Sequence, residues 1–204
     1  MSNNSENKAI QTTQLKKHDT CFQVLRIYVY VNVVLLYPFV YFHRTCPTIV
    51  IEDMAEAYGE KKSKLGIFST MFFYPYAVLQ LFAGLFADIM DPVILIASAQ
   101  LLSSVGGVIC GASKSLAVGC VGRFLVGLGC GVSYVPICKV CSFWFPLKYY
   151  SDILGISAIV GNIGGIIASY PLVTFCEKYS WRTAFYGISG LGAVIAILAL
   201  IFCR

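Results

Sequence analysis

Residues 123–131 read RFLVGLGCG: one arginine at the head of an apolar run whose glycines leave backbone bare. A soluble helix has no use for its single charge on such a surface. In a membrane, an ionisable side chain is costly and faces the bundle interior, a partner or a water-filled path. Arg123, Gly127 and Gly131 are spaced i, i+4, i+8 and Cys130 lies seven residues on, so all four share one helix face. Arg123 is therefore expected on a close-packed side, away from lipid. The competing reading is an arginine near the membrane surface that snorkels to water.

The rest of the chain fits a membrane. Hydrophobic residues make up 58% and charged ones 12%, about half the charge of an average soluble domain. Mean hydropathy is +0.76. Apolar runs at approximately 22–47, 65–88, 93–113, 116–138, 153–176 and 183–203 are each long enough for a span of roughly 20 residues. These predict an all-α membrane protein with six transmembrane helices over residues 21–204. Residues 1–20 are polar and are expected to form a disordered cytosolic tail. The first run reads as an uncleaved anchor, because the polar stretch before it does not suit a signal peptide.

Several function classes are disfavoured. The net charge of +5 is scattered, with no basic cluster beyond Lys16-Lys17 and Lys61-Lys62, so no nucleic-acid partner is expected. Of the nine cysteines, only Cys138 and Cys141 form a Cys-x-x-Cys, and both histidines, His18 and His43, are far away in sequence. A structural zinc site wants four ligands, so no metal and no cofactor are expected. Paired carboxylates and nucleophile constellations do not occur in the sequence, which argues against an enzyme.

The connections differ in kind. Asp91-Pro92 reads as an N-cap followed by proline at the first helical position. Residues 48–64, with Glu52, Asp53, Glu56 and Glu60 followed by Lys61, Lys62 and Lys64, read as a long polar connection. Residues 139–152 carry aromatic SFWFPLKYY and read as an interfacial one. With Arg123 set aside, lysines and arginines divide seven to seven between the two sides, so charge does not orient the chain. Small residues recur every four positions at Ser157, Gly161, Gly165 and Ser169, and Gly107 with Gly111 repeats the spacing, which predicts closely packed backbones.

A second intramembrane cation is Arg44. Tyr37, Tyr41 and Arg44 are spaced i, i+4, i+7, an aromatic wall with a cation at its end. Guanidinium binds carboxylate or phosphate through two parallel hydrogen bonds, so the wall suits an anionic or polar ligand; the alternative is a helix-end arginine at the interface. His43 points roughly 100° away and is a candidate proton carrier or an interfacial residue. Tyr76 and Gln80 share a face of the second segment, and Asn162 is the one amide of the fifth. These could line a polar path or bond neighbouring helices.

Together, several stretches resemble the N-terminal half of a major facilitator superfamily transporter. GLFADIMDP (84–92) is similar to that family's Gly-x-x-x-Asp loop, matched by Gly84 and Asp88; RFLVGLGCG resembles its Arg-x-x-x-Gly-x-Gly element. WFPLKYYSDILG (144–155) resembles the lead into helix five, and SWRTAFYGISG (180–190) the start of helix six. FHRTCP (42–47) with the run from Leu65 to Asp88 is similar to the anion–cation symporter group and to lysosomal dipeptide-transporter-like relatives. The resemblance implies two inverted three-helix repeats, a cytosolic N-terminus and a cytosolic gate at Gly84 and Asp88. With the residue reading above, the expected substrate site is drawn from Arg44, Tyr41, Tyr37, Tyr76, Gln80 and Asn162, with Arg123 and His43 as coupling or helix-packing residues.

Departures bear on mechanism. Ile89, Met90, Asp91 and Pro92 stand where the family has basic residues, so Asp88 lacks a local basic partner. Cys130 and His43 stand where symporters often have acids, which weakens carboxylate-driven proton symport. The family's cycle rocks two six-helix halves about a site between them; one half is present here, so a path needs a second half or a second copy. The expected function is secondary transport of a small anionic or zwitterionic organic solute across a plasma or organellar membrane. The alternative is a non-transporting membrane protein that acts by binding partners.

Overall fold

The structure, a computed structural model, describes residues 22–202; the proposed tail 1–20 and Arg204 lie outside the described residues. The described chain is helical almost throughout. Helix α1 (residues 22–34) and α2 (Tyr37–Tyr58) form a first span, broken at residues 35–36. Pro38 enters α2 within its first two positions; its ring cannot donate to the preceding turn and crowds the carbonyl four residues back, which explains the break. The second and third spans are α3 (Lys62–Ile89) and α4 (Pro92–Ala112). The fourth comprises α5 (Leu116–Gly131) and α6 (Tyr134–Trp144). The fifth comprises a 3-10 turn, α7 (Tyr150–Ile167) and α8 (Tyr170–Lys178), and the sixth is α9 (Trp181–Phe202). Among the described residues, six spans are long and apolar enough to cross a membrane.

Two connections are shorter than the sequence suggests. The stretch 48–64 is not a long loop: α2 continues to Tyr58, and only residues 59–61 separate it from α3. Cys46, Val50 and Met54, four residues apart, are fully buried, while Glu52, Asp53 and Glu56 lie on the exposed side, so an amphipathic helix accommodates the charges. Gly59, at φ 65°, ends it, and the Glu60 N–H reaches back to the Ala55 carbonyl at 3.0 Å. That is the left-handed C-terminal turn glycine favours. Residues 139–152 are likewise helical through Trp144. Asp91 does cap α4: its carboxylate accepts from the N–H groups of Val93 (2.8 Å) and Ile94 (3.2 Å).

Helix α4 packs against α5 on one side and α9 on the other, α5 also packs against α3, and α2 packs against α7. Glycine sets the closest approaches. A Cβ at Gly122 of α5 would fall 2.7 Å from the Gly106 carbonyl oxygen of α4. The α2–α7 seam corrects the expected ridge in its last two positions, Gly165 and Ser169. Ser157, Gly161, Gly164 and Ala168 are the buried set, spaced 4-3-4. A Cβ at Gly164 would collide with the Pro38 carbonyl, whereas one at Gly165 would make ordinary contact with Thr45 and Tyr41. A strict four-residue repeat drifts around a 3.6-residue helix, and the real seam steps back to stay on one face. The outward surface is strongly apolar, with Leu81, Leu85, Ile159 and Ile201 exposed, as expected of a bundle solvated by lipid.

Candidate functional site

Arg44 sits mid-helix in α2, not at a helix end, because the helix runs fourteen residues further to Tyr58. It is exposed. Its guanidinium lies 6.0 Å from the ring of Phe73 on α3 and makes no hydrogen bond or ion pair among the described residues. Below it on α2, Tyr41 and Tyr37 meet edge to face with ring centroids 5.2 Å apart. Tyr37 also stacks on Tyr134 of α6 at 5.7 Å. On α3, Tyr76 stacks on Phe72 at 5.5 Å and accepts a hydrogen bond from Gln80 at 3.1 Å. Gly161 of α7 abuts both Tyr37 and Tyr41. Three spans thus contribute rings to one aromatic face, which a fourth abuts through Gly161, around a cation that has no anionic partner among the described residues.

Asn162, next to Gly161, is exposed and donates to the Ala158 carbonyl of its own helix at 2.8 Å. Its amide is therefore not bonded to a neighbouring helix. Phe73 and Tyr134 were not singled out from sequence. Tyr134 stands just beyond Gly131, where α5 gives way to α6, and nothing in a linear apolar run marks that break.

Arg123 is fully buried, which excludes the snorkelling reading. Its Nη1 donates to the His43 carbonyl oxygen at 2.8 Å. The guanidinium carbon lies 4.6 Å from the Phe68 ring centroid and 5.5 Å from that of Phe185, and aromatic faces attract a cation through their quadrupole. Its Nε and Nη2 have no hydrogen-bond partner among the described residues. His43 is also fully buried, so it is not interfacial; neither ring nitrogen has a hydrogen-bond partner, and the ring stacks on Phe185 at 6.4 Å.

Gln100, Ser104 and Ser189 are buried beside these elements, each with an unpartnered polar atom. The His43 ring and the Ser189 hydroxyl both approach Gly107. Sequence reading missed these three; Gln100 is the one amide of its segment, a signal of the kind that drew attention to Asn162.

The proposed gate is also rearranged. Asp88 lacks a basic neighbour in its own loop but pairs with Lys139 of α6 at 2.9 Å, and Lys139 also donates to the Ala87 carbonyl. Gly84 is exposed, and a Cβ there would meet nothing within 4 Å.

Residues 33–204 match the Major Facilitator Superfamily. The chain belongs to that superfamily. It is 26% identical over 170 residues to a probable sulfoacetate transporter of Cupriavidus necator, covering 83% of this chain and 40% of that protein. A probable hexose phosphate transport protein of Chlamydia pneumoniae is 24% identical, with 87% of this chain and 39% of that one covered. The fold is similar to the crystal structure of a bacterial homolog of the human lysosomal transporter Spinster, inward-facing and unoccupied. That match has a TM-score of 0.78 at 19% identity and covers 88% of this chain and 43% of the other. The chain thus spans about two fifths of the length of these relatives. Superfamily membership and six apolar spans make it an integral, multi-pass membrane protein embedded in the lipid bilayer.

Proposed function

We propose that this chain forms one six-helix half of a secondary transporter that moves a small anionic or zwitterionic organic solute by alternating access. The observation that carries the reading is Arg44: an exposed guanidinium, without an anionic partner among the described residues, on an aromatic face built from three spans. In such a place the arginine offers a permanent charge and a fork of donors matched to carboxylate, sulfonate or phosphate. Tyr37, Tyr41 and Tyr76 flank it as walls, with Gln80 and Asn162 as polar contacts. The names of the sulfoacetate and hexose phosphate relatives agree in charge class.

The opposing wall of the path comes from a second six-helix half or a second copy. Arg123 couples the first and fourth spans, and His43 beside it is the proton-carrying candidate. Gly84 and Asp88, latched by Lys139, form the cytosolic gate. The test is uptake of a panel of small carboxylates, sulfonates and phosphates, with neutral analogues, into proteoliposomes containing the full chain, with crosslinking to report assembly. Anion-selective flux that Arg44→Gln removes supports the reading. Flux of neutral analogues that Arg44→Gln leaves unchanged overturns it.

A further inference from the structure

Two opposite charges share one cavity without meeting. At the bundle end that carries Trp144, a cavity of about 550 Å³ is lined by Gln23 and Arg26 of α1, Tyr149, and Asp152, Ile153 and Ile156 of α7. The Arg26 guanidinium lies 4.8 Å from the Phe145 ring centroid and, among the described residues, bonds only to the nearby Gln23 side chain. Its Nε is buried without a hydrogen-bond partner among the described residues. Asp152 is exposed and has no hydrogen bond or ion pair among the described residues. A cation and an anion therefore line the same space, each with binding capacity left over.

The setting is that of a membrane interface. Phe22 stacks on Trp144 at 5.7 Å, and Tyr30 meets Phe145 edge-on at 5.3 Å, an aromatic cluster of the type found at head-group level. From the cavity the same face of α7 continues as an apolar track: Ile153, Ile156, Val160, Ile163 and Ile167 recur at three- and four-residue steps. Val160, Ile163 and Ile167, with Phe39 and Leu191, line an apolar groove of about 290 Å³ between α2, α7 and α9. Ile156 to Ile167 rises about 16 Å, close to half of the ~30 Å hydrocarbon core.

We propose that this face of α7 binds one glycerophospholipid with a phosphoethanolamine head group. The phosphate meets Arg26, the ammonium meets Asp152, and an acyl chain occupies the groove along Val160, Ile163 and Ile167. Charge decides the head group. A purely anionic head would satisfy Arg26 and be repelled by Asp152. A choline head carries no N–H to give a carboxylate, whereas ethanolamine carries three donors. The site lies apart from Arg44 and is independent of any transported solute.

The test uses the full chain in detergent, titrated separately with phosphatidylethanolamine, phosphatidylcholine, phosphatidylglycerol and free phosphoethanolamine, with bound species counted by native mass spectrometry. Retention of one phosphatidylethanolamine per chain in preference to the other two lipids is expected. Arg26→Gln and Asp152→Asn should each weaken it about tenfold, the scale of one charge-assisted contact. Asp152→Asn should also narrow the preference over phosphatidylglycerol. Equal retention of all three lipids, unchanged affinity in both variants, or free phosphoethanolamine binding as tightly as the lipid would each overturn the assignment. Head-group selectivity of the unaltered chain decides the case even where a variant folds poorly.

Discussion

The Arg123 guanidinium donates to the main-chain carbonyl of His43 at 2.8 Å, joining the fourth span to the first across 80 residues of sequence. The carbonyl is special because of where it lies: Pro47 is inside α2, and proline has no N–H to give the residue four before it. Arg123 supplies the donor that the helix lacks. The proline four residues downstream and the arginine in RFLVGLGCG are thus parts of one device.

Substitution at Arg123 should separate charge from hydrogen bonding. Lysine keeps the charge but loses the planar guanidinium that lies near both Phe68 and Phe185, so Arg123→Lys should destabilise the fold by about 1–3 kcal/mol. Arg123→Met fills similar space without a buried charge but leaves the buried His43 carbonyl without a donor, so it too should cost about 1–3 kcal/mol. Thermal melts in detergent read both. A lysine variant as stable as arginine would mean the fork is unimportant.

At the α2–α7 seam, adjacent glycines should behave differently. Gly164→Ala places a methyl against the Pro38 carbonyl and should cost about 1–3 kcal/mol, the usual range for overpacking. Gly165→Ala has room and should leave the melting temperature within about a degree or two of the original, helped by alanine's better helix propensity. Equal effects at the two positions would contradict the 4-3-4 seam.

Arg44→Lys keeps a cation on the aromatic face but forfeits two-point recognition, so solute affinity should fall about tenfold while stability holds. Arg44→Gln should abolish preference for anions over neutral analogues. Isothermal titration or competition uptake measures both, and a lysine variant that binds as tightly as arginine would leave simple point charge as the whole contribution.

For the Asp88–Lys139 pair the two partners should be unequal. Asp88 is mostly exposed, so Asp88→Ala should cost no more than about 0.2–1 kcal/mol, as exposed ion pairs do. Lys139 also donates to the Ala87 carbonyl, so Lys139→Ala should cost more. A double-mutant cycle on melting temperature measures the coupling, and identical single-variant effects would show that the carbonyl contact adds nothing.

Composition alone made the bilayer legible, because runs of twenty apolar residues have few other uses. The face of Arg123 was legible too, since Gly127, Gly131 and Cys130 mark it by period. Boundaries were less so. The acids of 52–56 read as a loop because charge in an apolar protein suggests water, and a helix that leaves the membrane satisfies water equally well. The burial of His43 and Gln100 was hidden for another reason. Neither polarity nor spacing along one segment reveals what a third helix brings against it, and their burial depends on α9 and on Gly107. Asp88 illustrates the same limit: its partner arrives from 51 residues away.

The first span also outruns the membrane. Its 37 residues would extend about 55 Å at helical rise, more than the roughly 40–45 Å of a bilayer with its head groups. With the bend at residues 35–36, its last turns, through Glu52, Asp53 and Glu56 to Tyr58, are expected to reach beyond the lipid with an acidic outer face, braced on their inner side by the Tyr58 contacts with Ser113 and Trp181. A bundle otherwise covered by detergent therefore offers a braced handle to the aqueous phase. An antibody fragment gripping that acidic face would report which side of a sealed vesicle it faces and would give electron microscopy a fiducial.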